Sequence, residues 1–565
     1  MRMTGADILL ECLLEQGADT VFGYPGGAVL NIYDSLYKYK DKIRHIITSH
    51  EQHAGHAADG YARATGKTGV VLATSGPGAT NLVTAIATAQ MDSIPLVAVT
   101  GNVNLDLLGL DSFQEVDITG ITMPVTKHNF LVRDAGDLAG TVREAFFIAG
   151  DGRKGAVLID IPKDVTAAFA DYEPAENGYR AANALKKREN PDLERQIKEA
   201  AELLRVCERP YIYTGGGVIS AGAEKELALF ARIIDAPVSS SLMGQGCFDQ
   251  TDSRYIGMLG MHGTKAAAET VRHCDLFVAL GTRFSDRVTG DKTVFAKGAK
   301  ILHIDIDEAE HGKNVTPHIE VRGDLKEILA RFNKMLPRRH NGDWNKKAKR
   351  LHSVHSAKQK GTVEFPVTPQ AVITELDRLT DGEAIITTEV GQNQMWAAMY
   401  YRYKTPRSFI SSGGLGTMGF GLGAAIGAKI GKPEKVVVNI AGDGSFGMNM
   451  NELITLAEHN IPVIELVLNN SVLGMVRQWQ RLFYGKRFSE TTLDRSFDYM
   501  KLADAFGIAA FKIKREDDVE PVLAKALETA KNRPVLIECE IDRDLNVLPM
   551  VPAGKPITDP IMEID

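Results

Sequence analysis

The sequence predicts an α/β protein of three domains, each a mostly parallel sheet flanked by helices. Three observations predict it. Short apolar runs alternate along the whole chain with segments of helical spacing, the pattern of parallel sheets covered on both faces. In the first and third parts these runs are followed directly by glycine-rich or polar turns, as at the carboxyl ends of parallel strands. The length, 565 residues, suits about three domains.

The first domain is expected over residues 1–175, with strands at Ile46-Ile47 and at Ala156-Val157-Leu158-Ile159-Asp160. Periodicity fades over 165–192, where Pro174, Gly178 and the charged run Lys186-Lys187-Arg188-Glu189 read as a linker. The central domain is expected over 193–335, with strands near Tyr211–Tyr213, Leu276–Leu280 and Lys300–Asp305. Residues 338–362 are basic and polar and read as a solvated linker helix. The third domain, 366–550, carries strands at 436–440 and 463–468 joined by a helix over about 449–458. A proline-containing tail, 551–565, is expected to lie over the surface or over a site.

Composition narrows the function classes. Hydrophobic residues make up 44% and charged residues 24%, an ordinary soluble balance. The formal charge of -7 argues against nucleic acid as a partner. Five cysteines (Cys12, Cys207, Cys247, Cys274, Cys539) have no metal-ligand spacing and read as reduced thiols. No run reaches the length of a membrane span, and the N-terminus leads into an amphipathic helix without a targeting segment, so a cytoplasmic protein is expected.

The most specific motif is Gly442-Asp443-Gly444-Ser445, with Asn469-Asn470 after the next strand. A carboxylate, an amide oxygen and a backbone carbonyl are hard oxygen ligands, suited to Mg²⁺ holding a diphosphate. The flanking glycines let backbone approach phosphate closely. In the first domain, Glu51 opens a helix after a strand, and Thr74-Ser75-Gly76-Pro77-Gly78 is a turn feeding another helix. One window competes: Gly414-Leu415-Gly416-Thr417-Met418-Gly419 satisfies a dinucleotide fingerprint, with Asp443 at a suitable distance. The GDG turn already gives Asp443 another task.

Glu51, the GPG turn, GDG and the Asn doublet together resemble the thiamin diphosphate enzymes. Within them the chain is similar to the acetohydroxyacid synthase (acetolactate synthase) catalytic subunits. The strings that carry the resemblance span nearly the whole chain: GYPGGAVL, EQHAGHAADGYAR, TSGPGATNLVT, SFQEVDI, TKHNFLV, IDIPKDV, MLGMHGT, RVTG, HIDID, VGQNQMWAA, GGLGTMGFGLGAAIGA, LGMVRQWQ and PMVPAG.

The resemblance implies thiamin diphosphate, Mg²⁺ and FAD as cofactors. It implies decarboxylation of pyruvate and transfer of a hydroxyethyl unit to pyruvate or 2-ketobutyrate, giving 2-acetolactate or 2-aceto-2-hydroxybutyrate for branched-chain amino acids. It also implies a homodimer or tetramer, with the cofactor shared between subunits, and a small regulatory subunit. Glu51 would activate the aminopyrimidine ring, with Gly27, Pro77 and Asn81 near it. Asp443, Asn470 and the carbonyl of Val472 would bind Mg²⁺. Gly391, Gln392, Asn393, Gly442, Gly444, Ser445, Leu473, Gly474 and Met475 would surround the diphosphate, while Gly416 and Met418 support the cofactor's bent shape. Phe113, Gln114 and Lys163 would line the substrate channel. Arg287 would pair with the acceptor carboxylate. Trp479, Met261 and Val390 would pocket the acceptor's alkyl group.

The flavin would lie among Gly215-Gly216-Gly217, Leu242-Met243, His262-Gly263-Thr264, Gly281, Arg283, Asp286, Val288, Asp305-Ile306-Asp307 and Asp324. With no net redox step, its role would be structural. A pyruvate oxidase-like flavoenzyme and a flavin-free catabolic acetolactate synthase are the alternatives. Trp479, Arg287 and RVTG favour the carboligase over the former, and the intact central strings disfavour the latter. The chain departs from the family at Asn104-Leu105-Asp106, where Pro, Ala or a basic residue is usual and an Asp would repel an incoming carboxylate. Glu389 stands for the usual Asp, Asn393 for the usual His, and Ser285 for an Asp. The linker Arg that approaches the flavin has only Arg180 as a counterpart.

Overall fold

A computed structural model describes residues 1–175, 190–353, 360–493 and 498–564. Three six-stranded sheets, all parallel, account for the three parts of the chain. The first orders its strands Arg44–Ile47, Thr20–Gly23, Gly69–Ala73, Leu96–Asn102, Ala156–Pro162, His128–Leu131. The third has the same topology: Phe409–Ile410, Ile385–Thr388, Val437–Gly442, Ile464–Asn469, Val535–Glu540, Ala509–Ile513. The central sheet runs Tyr255–Met258, Val238–Ser240, Pro210–Thr214, Leu276–Leu280, Lys300–Asp305, Ile319–Arg322. In each sheet the order reverses beside the first strand of its unit, and ligands of open α/β sheets bind at such switch points.

The first and third sheets share a core. Phe22, Ala57 and Tyr61 pack with Phe420, Ala424 and Leu453 in one buried cluster. At its centre helix Glu51–Thr65 crosses helix Gly421–Gly431 at very short range. A Cβ on Gly427 would lie 1.8 Å from Ala57 O, and one on Gly60 would lie 2.2 Å from Ala424 O. Only glycine permits that approach, and it fixes the Glu51 helix against the domain that carries Asp443.

The structure differs from the sequence-based expectations at several elements. Residues Arg2–Thr4 form a strand before the first helix, antiparallel to Phe169–Asp171. The span expected to lose periodicity therefore opens with helix Lys163–Ala167 and that strand. Three-residue strands carry too little alternation to be seen in sequence. After Gly442 the helix begins at once, at Asp443–Asn449, passes through a 3-10 turn at Met450–Glu452 and resumes at Leu453–Glu458. The basic linker holds helix Gly342–Ser353, but it is not simply solvated: Trp344 and Ala348 are buried in the central domain's core. The tail lies on the central domain, where Val551 N donates to Met261 O (2.8 Å) and Asp291 N to Lys555 O (3.0 Å). All five cysteines are buried and free. Among the described residues no helix is long and apolar enough to cross a membrane.

The dinucleotide reading of Gly414–Gly419 fails on topology. Its strand, Phe409–Ile410, is an edge strand that pairs only with Ile385–Thr388. The strand leading to Asp443 is not its neighbour, whereas a dinucleotide fold ends the adjacent strand with the ribose-binding acid.

Candidate active site

In the third sheet the switch point lies between the ends of Ile385–Thr388 and Val437–Gly442. Asp443 is the first residue of its helix, where the helix dipole favours a negative group. Ser445 Oγ donates to Val390 O at 3.0 Å, tying that helix to the segment 390–392. Asn470 follows the neighbouring strand, and its Oδ1 accepts from Val472 N (3.2 Å). Its Nδ2 lies 3.5 Å from Gln392 Oε1. A Cβ on Gly474 would meet Gln392 Oε1 at 2.1 Å, and one on Gly444 would meet Leu473 Cδ2 at 2.7 Å, with Met418 Cε at 3.9 Å. Gly391, Gln392, Gly442, Asp443, Gly444, Ser445, Asn470, Val472, Leu473, Gly474 and Met418 thus gather at the carboxyl edge of the third sheet. Gly416 stands beside it with positive φ and open space around its Cα. Asn393 Nδ2 donates to Glu389 O (3.0 Å) and Ile440 O (2.7 Å), while its Oδ1 lies toward Gly391 and Gly442.

The donor set fits Mg²⁺ with a diphosphate. It offers one carboxylate, one amide oxygen and a backbone carbonyl, hard oxygen donors of the kind that would hold Mg²⁺ together with phosphate oxygens.

The first-domain group also sits at a switch point, around the ends of Thr20–Gly23 and Gly69–Ala73. Glu51 opens its helix behind the His50 cap and accepts a hydrogen bond from Asn81 Nδ2 at 2.9 Å. Pro77 opens helix Pro77–Asn81. Gly76, at positive φ, lies under the backbone of Gln114, and a Cβ on Gly78 would come 3.3 Å from Glu51 Oε1. The sequence-predicted Phe113 and Gln114 are therefore next to the Glu51 turn, with Phe113 88% exposed. Gly27 faces open space. Lys163 opens the helix after strand Ala156–Pro162, two strands from Gly69–Ala73, and its carbonyl accepts from Asn31 Nδ2 at 3.2 Å.

Between the domains runs a cleft of about 2470 Å³, well above the ~300–1,000 Å³ of ordinary ligand pockets. It is lined by Gly215-Gly216-Gly217, Leu242, Met243, His262, Gly281, Arg283, Asp286, Val288, Asp305-Ile306-Asp307 and Asp324. The same cleft reaches Met261, Arg287, Val390, Gly391, Gly416, Met475 and Trp479. The proposed flavin, acceptor and diphosphate groups are therefore continuous. A long, mixed polar and apolar ligand such as FAD fits its shape and chemistry.

Burial lowers His262 to about 4, so its ring is neutral; Nδ1 lies 3.0 Å from Pro549 O. Burial raises Asp305 to about 6. Arg287 stands over the Trp479 ring, 5.9 Å from its centroid. Two residues of the flavin set lie outside the lining. Gly263 packs on Gly260, and Thr264 caps helix Lys265–His273 through Ala267 N while its hydroxyl donates to Ile256 O. Their part is to shape the turn that presents His262. Arg180 lies outside the described residues.

Sequence reasoning missed two anchors of this cleft. Arg153 pairs with Asp307 (3.0 Å) and Glu310 (2.7 Å), joining the first domain to the HIDID turn. Asp92 accepts from Gly413 N and Gly414 N and pairs with buried Arg63. Neither sits in a motif, and only the domain packing brings their partners together.

Comparison with known families adds independent findings. Residues 3–121 match the thiamine pyrophosphate enzyme N-terminal TPP-binding domain, 197–332 the central domain, and 389–539 the C-terminal TPP-binding domain. The chain is 46% identical over 570 residues to a probable acetolactate synthase large subunit of Methanocaldococcus jannaschii, covering 100% of this chain and 96% of that protein. It is 46% identical over 567 residues to an acetolactate synthase large subunit of Mycobacterium tuberculosis (98% and 90% covered). Its identity to the acetolactate synthase large subunit of Corynebacterium glutamicum is 45% over 571 residues (99% and 90% covered).

Proposed function

Since the chain belongs to the thiamine pyrophosphate enzymes, and within them to the acetolactate synthase large subunits, we propose how its residues divide the work of a thiamin diphosphate-dependent acetolactate synthase. The observation that carries the proposal is the meeting of Asp443, Asn470 and the 390–392 segment at one switch point, continuous with the Arg287–Trp479 end of the cleft.

Bound thiamin diphosphate would supply the nucleophilic carbon and the electron sink for decarboxylation. Asp443, Asn470 and Val472 O would hold Mg²⁺, and Gly391, Gln392, Gly444 and Ser445 would bind the diphosphate. Glu51, oriented by Asn81, would hold the proton that biases the aminopyrimidine tautomer. Phe113, Gln114 and Lys163 would exclude water from the channel. Pyruvate is the expected donor, and Arg287 would bind the carboxylate of the second 2-keto acid, pyruvate or 2-ketobutyrate. Trp479, Met261 and Val390 would hold its alkyl group, where a methyl against an ethyl is worth only about 1–3 kcal/mol. FAD in the central cleft would brace the domains.

Glu51 takes its partner from its own domain, and Phe113 beside it is exposed. Both features suit a site completed by a second copy, so a dimer is the minimal unit, open to tetramerisation. A small regulatory subunit, a cytoplasmic location and a place in branched-chain amino acid biosynthesis complete the reading. The test of the shared site mixes two inactive variants, Glu51→Gln and Asp443→Asn. Half of randomly exchanged dimers carry one intact site of two, so about a quarter of wild-type activity should return. No recovery after proven subunit exchange would refute a shared site.

A further inference from the structure

Glu389 directly follows strand Ile385–Thr388 and is fully buried. Its backbone leads directly into Val390-Gly391-Gln392, while its side chain reaches two other segments of the same site. Oε2 accepts from Gly419 N at 2.7 Å, and Oε1 accepts from Leu422 N at 3.2 Å and from Asn449 Nδ2. Gly419 adjoins Met418, and Asn449 ends the helix that Asp443 begins. The main chain is fixed as well, since Glu389 N donates to Ile440 O (3.1 Å) and Glu389 O accepts from Asn393 Nδ2 (3.0 Å).

The partners Gly419 N, Leu422 N and Asn449 Nδ2 are all N–H donors, and the two carboxyl oxygens accept from them; burial raises the group's pKa, and these donors work against that rise. Such an arrangement goes beyond filling the core. Glu465, equally buried on strand Ile464–Asn469, repels the Glu389 carboxylate but takes its hydrogen bonds from the amide of Asn439 and from none of the segments that Glu389 ties together.

We propose that Glu389 is a positioning residue for thiamin diphosphate, fastening the Met418 turn, the diphosphate-facing segment 390–392 and the end of the Asp443 helix into one unit. The inference rests on the cofactor site proposed above. Glutamine would turn an NH₂ towards N–H donors, and aspartate falls one methylene short. Either change lets the three segments move independently while the fold persists.

The experiment measures thiamin diphosphate affinity in the presence of Mg²⁺ by calorimetry on the full-length protein. It also follows exchange of the bound cofactor's C2 hydrogen for deuterium, and the thermal midpoint without cofactor. Variants are Glu389→Gln, Glu389→Asp, Asn449→Ala, with Glu465→Gln as the buried-carboxylate control and Asp443→Ala as the site control. Glu389→Gln should weaken binding about 10- to 100-fold, as loss of an outer-shell anchor does, and slow C2 exchange. Glu389→Asp should recover part of both, and Glu465→Gln should stay within about twofold of wild type.

Affinity unchanged in Glu389→Gln, or equal losses in Glu465→Gln, would overturn the proposal. If Glu389→Gln does not fold, Asn449→Ala decides: weaker binding supports the role and unchanged binding overturns it. Should Asp443→Ala retain full affinity, the cofactor site itself is misassigned. If Asp443→Ala loses binding while the Glu389 variants keep it, only the present inference fails.

Discussion

Replacing Arg287 by Lys tests its proposed role in binding the acceptor while leaving the fold alone. The side chain is 56% exposed and its one carboxylate neighbour, Asp286, lies at 3.5 Å with its own side chain 75% exposed. An exposed pair of this kind is worth about 0–1 kcal/mol, so the guanidinium remains available to a ligand. Its position over Trp479 aims it along the cleft, where the acceptor's alkyl group would lie. Lysine keeps the charge but loses the planar fork that binds a carboxylate through two parallel hydrogen bonds. A charged hydrogen bond contributes about 1.5–3 kcal/mol, which is roughly a 10- to 150-fold loss in kcat/KM. The loss should fall on the acceptor, because decarboxylation of the donor does not call on this residue. The assay varies 2-ketobutyrate at fixed pyruvate and reads the mixed acetohydroxy acid together with CO₂. Stability should stay within about 0.5 kcal/mol of wild type. An acceptor kcat/KM within twofold of wild type would refute the assignment, as would a loss that merely tracks unfolding.

Other expectations test the scaffold and the cofactors. Gly427→Ala places a methyl 1.8 Å from Ala57 O and 2.7 Å from Tyr61 N, and should cost about 3 kcal/mol or more in chemical denaturation. Burial raises Asp160 to about 7, against donors on Asn102 and Thr100 that pull the other way. The folded state then keeps a proton that the unfolded chain has released, so stability falls as pH rises from about 4 to 7, by up to roughly 1.4 kcal/mol per pH unit. Denaturation curves for Asp160→Asn should lack this slope. Removing Mg²⁺ with a chelator should weaken thiamin diphosphate binding, measured by calorimetry, since one carboxylate and one amide cannot hold a diphosphate without the ion.

The fold was legible because buried parallel strands and glycine turns leave local signals. Val437–Gly442 and Ile464–Asn469 stand where the apolar runs were, with Asp443 and Asn470 immediately after them. The helix after Gly442 was misplaced because its first turn, Asp-Gly-Ser-Phe-Gly, reads as loop until the dipole and the tight packing of Gly444 are known. The linker helix reads as solvated in sequence because Trp344 is a single apolar signal in a basic run, and its burial depends on the central domain beneath it. Arg153 and Asp92 carry no motif, since their partners lie far off in sequence and meet only through packing; Glu389 shows in sequence only as a departure from the usual Asp, and its partners too are brought to it by packing. Thr264 illustrates the converse: it sits inside a recognisable string, yet its hydrogen bonds go to the scaffold.

The most direct measurement gives the purified protein pyruvate with thiamin diphosphate, Mg²⁺ and FAD, and follows acetolactate and dissolved oxygen together. The account expects acetolactate to form without matching oxygen uptake, and 2-aceto-2-hydroxybutyrate to appear when 2-ketobutyrate is added. Oxygen consumption equal to pyruvate loss, with little acetolactate, would contradict it and make the flavin a redox partner.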